Sequence, residues 1–216
     1  MLTHYITIKA AGEHEIEIKK SRFICQLARA DSETDAQAFI AACKKKHYKA
    51  NHSCSAYVIG EHDEHQHAHD DGEPAGTAGV PMLEVLRRQH LKNVVAVTTR
   101  YFGGTKLGAG GLIRAYSNSV SQALTEIGLV EGRLQKTVII TIDYAQIGSL
   151  EHYLQQQAIA IAAASYLEKV ALTIMVTESD VPAVQAAIIE LLSGQVTFEF
   201  GAEQYSETIL KNTADQ

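Results

Sequence analysis

The sequence predicts an α+β protein of two domains, the second a ferredoxin-like βαββαβ unit. Three observations lead there. At 216 residues the chain is long for one compact α+β domain and comfortable for two. With 46% of its residues hydrophobic it can fill a packed core and is too apolar for a disordered chain. Its charge is divided: residues 1–134 carry 16 Lys and Arg against 15 Asp and Glu, residues 135–216 carry 3 against 10, and the chain's net is −6. That split suits two units with different partners, the first being the one able to meet an anion. Ordinary solvation of an acidic domain accounts for it equally well.

The elements follow from hydrophobic period and punctuation. His14–Lys19 and Arg22–Ala28 read as two strands joined at Lys20–Ser21. Ser32 or Thr34 can cap a helix from Asp35 to about His47, with Ala38, Phe39 and Ala42 on its inner face. Ser53–Gly60 is a strand, and Glu61–Gly79 is a polar loop without apolar period. A helix follows with Pro81 in its first turn and Met82, Leu83 and Leu86 inward. Asn93–Tyr101 is a nearly continuous apolar strand, as a central position requires. After the glycine-rich turn Phe102–Gly111, a helix aligns Leu112, Ile113, Tyr116, Val120, Ala123, Leu124 and Ile127 and stops at Gly128.

From Val130 the pattern restarts. A strand at Thr137–Asp143 leads to a helix at Ala145–Gln157 with Ile147, Leu150 and Leu154 inward. Strands at Ile159–Tyr166 and Lys169–Thr177 precede a helix capped by Ser179 that carries Val181, Val184, Ile188 and Leu191. Val196–Phe200 is the last strand, and the tail after Ser206 is expected to fray. The order βαββαβ gives the second domain its class. The expected domains are residues 1–132 and 135–206, with the boundary near Glu131–Gln135.

Several classes are excluded. Met1–Ala11 lacks the basic start and apolar run of a signal peptide, and no stretch approaches the roughly 18 apolar residues of a membrane span. Cys25, Cys43 and Cys54 are odd in number and unpaired in spacing, which speaks for a reducing compartment and against a cysteine-type zinc site. The expected location is cytoplasmic, with no membrane partner.

Four features could carry chemistry. In Asp70-Asp71-Gly72-Glu73-Pro74-Ala75-Gly76-Thr77, three carboxylates crowd into four positions. They could hold Mg2+, which takes one or two carboxylates and keeps several waters. The plainer reading, which composition favours, is a turn whose carboxylates satisfy local N–H groups. The run Arg100–Arg114 passes from a buried strand through five glycines, Gly103, Gly104, Gly108, Gly110 and Gly111, to a helix start. A helix start binds anions through its unpaired N–H groups, and Arg100, Lys106 and Arg114 would reinforce it. The run is neither a Walker A loop nor a dinucleotide fingerprint. His52 and Cys54 share a strand face and could be a base and its nucleophile, though a free cysteine in a strand is more often packing. His62, His65, His67 and His69 sit in one polar loop, where solvation or an adventitious metal is the plainer reading.

Taken together, Lys19–Ile24, His52-x-Cys54-x-Ala56-Tyr57, Asp70–Pro81 and Thr99–Ser117 resemble the IMPACT/YigZ family. The resemblance implies a first domain of the ribosomal-protein-S5-domain-2-like type and a second like domain V of elongation factor G. Eukaryotic members are translational regulators that carry a different N-terminal domain. The surface the resemblance implies comprises Arg22, His52, Asp70, Asp71, Glu73, Thr77, Arg100, Lys106 and Arg114.

The leading expectation is a translation-associated regulator that binds RNA or the ribosome through Asp70–Tyr116 and requires no cofactor. Its ligand-binding residues would be Arg22, His52, Thr77, Arg100, Gly103, Gly104, Lys106, Gly108, Gly110, Gly111 and Arg114. The alternative is a Mg2+-dependent enzyme acting on a phosphorylated small molecule or nucleotide, with Asp70, Asp71 and Glu73 at the metal. A third reading has the acidic second domain meeting a protein partner. What separates the first two is whether Asp70–Thr77 and Gly103–Arg114 share one cleft.

Overall fold

The computed structural model describes residues 2–210. They form two compact units, one of residues 2–132 with 207–210 and the other of residues 133–206.

In the first unit, β2 (Gly12–Ile18) returns as β3 (Ser21–Arg29) through Lys19 and Lys20. Both lysines hold positive φ, 48° and 64°, the backbone that two-residue hairpins use to match strand twist. Helix α1 (Glu33–Lys46) starts at Ser32, whose hydroxyl accepts the Asp35 N–H at 3.1 Å. Strand β4 (His52–Ile59) and β5 (His65–His69) are antiparallel neighbours. Helix α2 (Gly79–Arg88), strand β6 (Val94–Tyr101) and helix α3 (Ala109–Ile127) complete the unit's framework.

The sheet runs β2-β3-β6-β4-β5, antiparallel throughout, with β6 central and buried along nearly all its length. Because side chains alternate along a strand, its two faces build separate cores. Phe23, Leu27, Cys54, Val58 and Ala96 pack with Met82 and Leu86 of α2 and Tyr116 and Val120 of α3. Tyr57, Ile59 and Val95 pack on the other side with Phe39 and Ile40 of α1. A further strand, β1 (His4–Ile8), pairs with β7 (Leu129–Ile142).

In the second unit the order of elements is β7, α4 (Ile147–Gln156), β8 (Ile161–Tyr166), β9 (Val170–Thr177), α5 (Val181–Leu191) and β10 (Thr197–Ile209). The strands lie in the order β10-β7-β9-β8, which is the ferredoxin-like arrangement for a βαββαβ chain. Val138, Ile140 and Ile142 alternate into the core with Leu150, Leu154, Leu172, Ile174 and Ile188.

The structure departs from the sequence reading where tertiary pairing decides. His4–Ile8 and His65–His69 are strands that periodicity missed. The second is polar on both faces and exists as an edge strand because β4 offers its ladder. Ala38 and Ala42 are exposed, and α1 instead turns Ala36, Phe39, Ile40 and Cys43 inward. Ile113 is 41% exposed, whereas Ala115 and Ser119 are buried. Ser179 lies in a single 3₁₀ turn and bonds Asp180, so it does not cap α5. Leu191 is exposed and Leu192 buried. Residues 207–209 continue β10 instead of fraying, and the Leu210 N–H donates to the Leu129 carbonyl at 2.9 Å. Residues 211–216 of the expected tail lie outside the described residues.

Two glycines give opposite expectations. A Cβ on Gly79 would stand 2.4 Å from the His69 nitrogen, while one on Gly110 would meet nothing within 4 Å. Gly79→Ala is therefore expected to destabilise the first unit by about 1–3 kcal/mol through overpacking. Gly110→Ala is expected to stabilise it by up to about 1 kcal/mol through helix propensity. Thermal unfolding midpoints of the two variants check the pair.

Candidate functional site

Strand register sets the site. Arg100 on β6 lies opposite His52 on β4 and Phe23 on β3. By the two-residue strand period, all three point to the face that carries α2 and α3. Arg100 is only 5% exposed. Its Nη1 donates to Glu73 Oε1 at 2.6 Å, and the Tyr116 hydroxyl donates to the same oxygen at 2.9 Å. The guanidinium lies 5.4 Å from the Phe23 ring centre and 5.5 Å from that of Phe102. Its Nε is buried and has no acceptor among the described residues. Burial, and then the neighbouring Cys54 and Glu73, push the Tyr116 phenol far up, so it stays a donor.

His52 is oriented from behind. Its Nδ1 stands 2.9 Å from the Asp71 carbonyl oxygen, which can only accept, so Nδ1 carries the hydrogen. In the neutral ring Nε2 is then an acceptor, 3.9 Å from Glu73 Oε2. Cys54 is buried, donates to the Asp70 carbonyl at 2.9 Å, and has its thiol pushed up to about 12 by burial. The His52–Cys54 pair therefore lacks an available thiolate, and Cys54 packs.

The acidic segment uses its carboxylates separately. Asp70 accepts the N–H groups of Gly76, Ala78 and Gly79 at 2.8, 3.0 and 2.8 Å, fixing the start of α2. Asp71 pairs with Lys44 and accepts the Ser53 N–H, both at 2.7 Å. Glu73 belongs to Arg100 and Tyr116. Burial raises the Asp70 and Asp71 carboxyls, but backbone donors for Asp70, and Lys44 with the Ser53 N–H for Asp71, more than offset it and hold both below the usual range. No group of three or more His, Cys, Asp or Glu among the described residues is placed to hold a metal ion. The histidines of β5 are no exception, and His67 instead stacks on Tyr57 at 4.9 Å.

The glycine run delivers a helix start to the same place. Gly103 approaches the hairpin so closely that a Cβ would fall 2.0 Å from the Lys20 carbonyl carbon. Gly104 and Gly108 hold φ of 86° and 73°. Gly108, Ala109 and Gly110 are exposed. No side chain caps α3 and no acidic residue stands in its first turn, so its leading N–H groups have neither a side-chain cap nor an intrahelical acceptor. Lys106 just before α3 and Arg114 in its second turn are exposed, and of the two only Lys106 lines the neighbouring cleft.

A cleft of about 380 Å³ is lined by His52, Glu73, Pro74, Arg100 and Phe102 together with residues 106–109 and Leu112. The acidic and glycine-rich segments thus meet, through Glu73 and Pro74. The structure gathers His52, Glu73, Arg100, Lys106 and Gly108 at the cleft and leaves Asp70 and Asp71 outside its lining. Thr77 is buried with its hydroxyl on the Pro74 carbonyl at 2.7 Å. Arg22 points to the α1 side, where it holds Glu15 through two 2.7 Å bonds and lies over Tyr101. Phe102 and Tyr116 escaped the sequence reading as site residues. The one looked like turn filler and the other like core, yet one borders the cleft and the other donates to Glu73 in its lining.

Comparison with known proteins divides the chain in two. Residues 19–124 match the Impact N-terminal domain, and residues 140–195 match a Domain of unknown function (DUF1949). The chain is 50% identical over 207 residues to "IMPACT family member YvyE" of Bacillus subtilis (strain 168), covering 96% of this chain and 95% of that protein. It is 42% identical over 142 residues to "IMPACT family member YigZ" of Escherichia coli (strain K12), covering 65% and 70%. A solved structure titled "Crystal structure of an hypothetical protein" is similar at 32% identity and a TM-score of 0.59, covering 92% of this chain and 97% of that one.

Two outcomes test the site's construction. Arg100→Met leaves Glu73 buried without its cation and is expected to cost about 3–5 kcal/mol, most of it recovered in the Arg100→Met/Glu73→Leu double variant. Denaturant melts followed by hydrogen exchange in β6 measure both. The lowered Asp70 and Asp71 carboxyls add stability that is complete above the unfolded value of about 3.9. It is lost as pH falls through their lower folded values. Asp70→Asn and Asp71→Asn should each flatten the acid limb of the stability curve.

Proposed function

This chain belongs to the IMPACT family, and on that premise we propose that it is a translation-associated regulator that binds RNA through its first unit. The observation that carries the reading is the α3 start. It is uncapped and exposed at Gly108–Gly110, with Lys106 exposed just before it and Arg114 exposed in its second turn. Such a start presents N–H donors and the positive end of the helix dipole to a phosphate. Phe102, 46% exposed at the rim, offers a ring on which a base can stack. The near-balanced charge of residues 1–134 points to a few localised phosphate contacts and not to a broadly basic groove. The translation setting rests on the family resemblance, with ribosomal RNA as the corresponding target.

Fluorescence anisotropy with single-stranded ribosomal RNA fragments, across a salt series, tests the reading. Binding should weaken linearly in log salt. Lys106→Ala and Arg114→Ala should each reduce the slope by about 0.7. Absence of binding at low salt, or affinity and slope unchanged in both variants, counts against it.

A further inference from the structure

The groups that line the cleft have opposite hydrogen-bonding sense. The α3 start is a donor, its first N–H groups uncapped by any side chain, with Lys106 beside it in the lining. His52 Nε2 and Glu73 Oε2, 3.9 Å apart, are acceptors. The Asp71 carbonyl behind Nδ1 keeps the neutral ring in the tautomer that leaves Nε2 an acceptor. Arg100, 5% exposed and lining the cleft, keeps an Nε without an acceptor among the described residues. A ligand that suits both sets of groups carries an anion at one end and a hydroxyl donor at the other. It must also fit a space of about 380 Å³. A ribose phosphate has that pairing, and its deoxyribose counterpart lacks the 2′-hydroxyl.

We propose that the cleft recognises a ribonucleotide unit, with phosphate on the α3 start and a sugar hydroxyl donated to His52 Nε2. His52 is then the residue that tells ribose from deoxyribose. The proposal rests on the RNA-binding reading and adds the sugar to it. The unit is either part of an RNA chain or a free ribonucleotide. Gly110 fits the same picture, since it gives up helix propensity where a Cβ would meet no protein atom within 4 Å.

The test compares the intact chain's affinity for a single-stranded RNA and for DNA of the same sequence. RNA should bind about three- to tenfold more tightly, the worth of one net hydrogen bond. His52→Asn keeps an amide N–H for the Asp71 carbonyl but removes the acceptor in the cleft, and should bring RNA affinity down to that of DNA. A thermal melt of the variant establishes that it is folded. Competition by adenosine monophosphate, but not by its 2′-deoxy form, supports the free ribonucleotide as the natural source. A preference seen only with the oligomer supports the chain. Equal affinity for RNA and DNA in the unsubstituted protein, or a ratio unchanged in His52→Asn, overturns the proposal and leaves RNA binding standing. No binding of either polymer at low salt overturns both.

Discussion

The first unit depends on one buried ion pair. Arg100 comes from the central strand and Glu73 from a loop more than twenty residues earlier, and both are nearly removed from water. Burying two charges costs several kcal/mol each before their attraction is counted, so such a pair is a poor source of stability taken alone. What it gives is definition. Glu73 Oε1 takes donors from β6 and from α3, so the loop can lie in one place only. With that point fixed, Asp70 reaches the start of α2 and Asp71 reaches α1 and β4. A segment without period or propensity becomes as determined as the strands it joins.

The same pair shapes the electrostatics of the cleft. Arg100 is the most buried cation of the site, and its charge is balanced by its partner. The charge left over belongs to groups at the surface, Lys106, Arg114 and the helix end. The exposed positive charge therefore lies at the surface, while the interior holds a compensated pair. His52 belongs to that interior, turned by a backbone carbonyl and not by a carboxylate.

Much of this was legible in the residues. The hairpin, the central strand and the order of the second unit followed from alternation, glycine stops and apolar stripes. The exposed start of α3 was legible because five glycines and three cations crowd one connection. Partnership was not legible. Nothing in the string of Asp70, Asp71 and Glu73 says that one carboxylate caps a helix, one meets Lys44 and one goes under Arg100. Those outcomes depend on register and on elements distant in sequence. The strand at His65–His69 was hidden for a related reason, since its residues do not favour a strand and only its neighbour makes it one. The family resemblance groups Arg22 with Arg100, Lys106 and Arg114, yet strand parity sends it to the face opposite Arg100.

Strands β7 and β10 each begin in one unit and end in the other, so the second unit is an insertion between residues 132 and 207 of the first. Glu207 is held by Arg29 at 2.7 Å and by the Tyr5 hydroxyl at 2.8 Å. That matters for a chain made from its N-terminus on the ribosome. Both main cores of the first unit are encoded by residue 129, so they can form while the rest is still being synthesised. The clasp on Glu207 cannot close until the inserted unit has emerged. Nascent chains halted before that residue would carry a first unit that is packed but unlatched, and completion of translation supplies the latch.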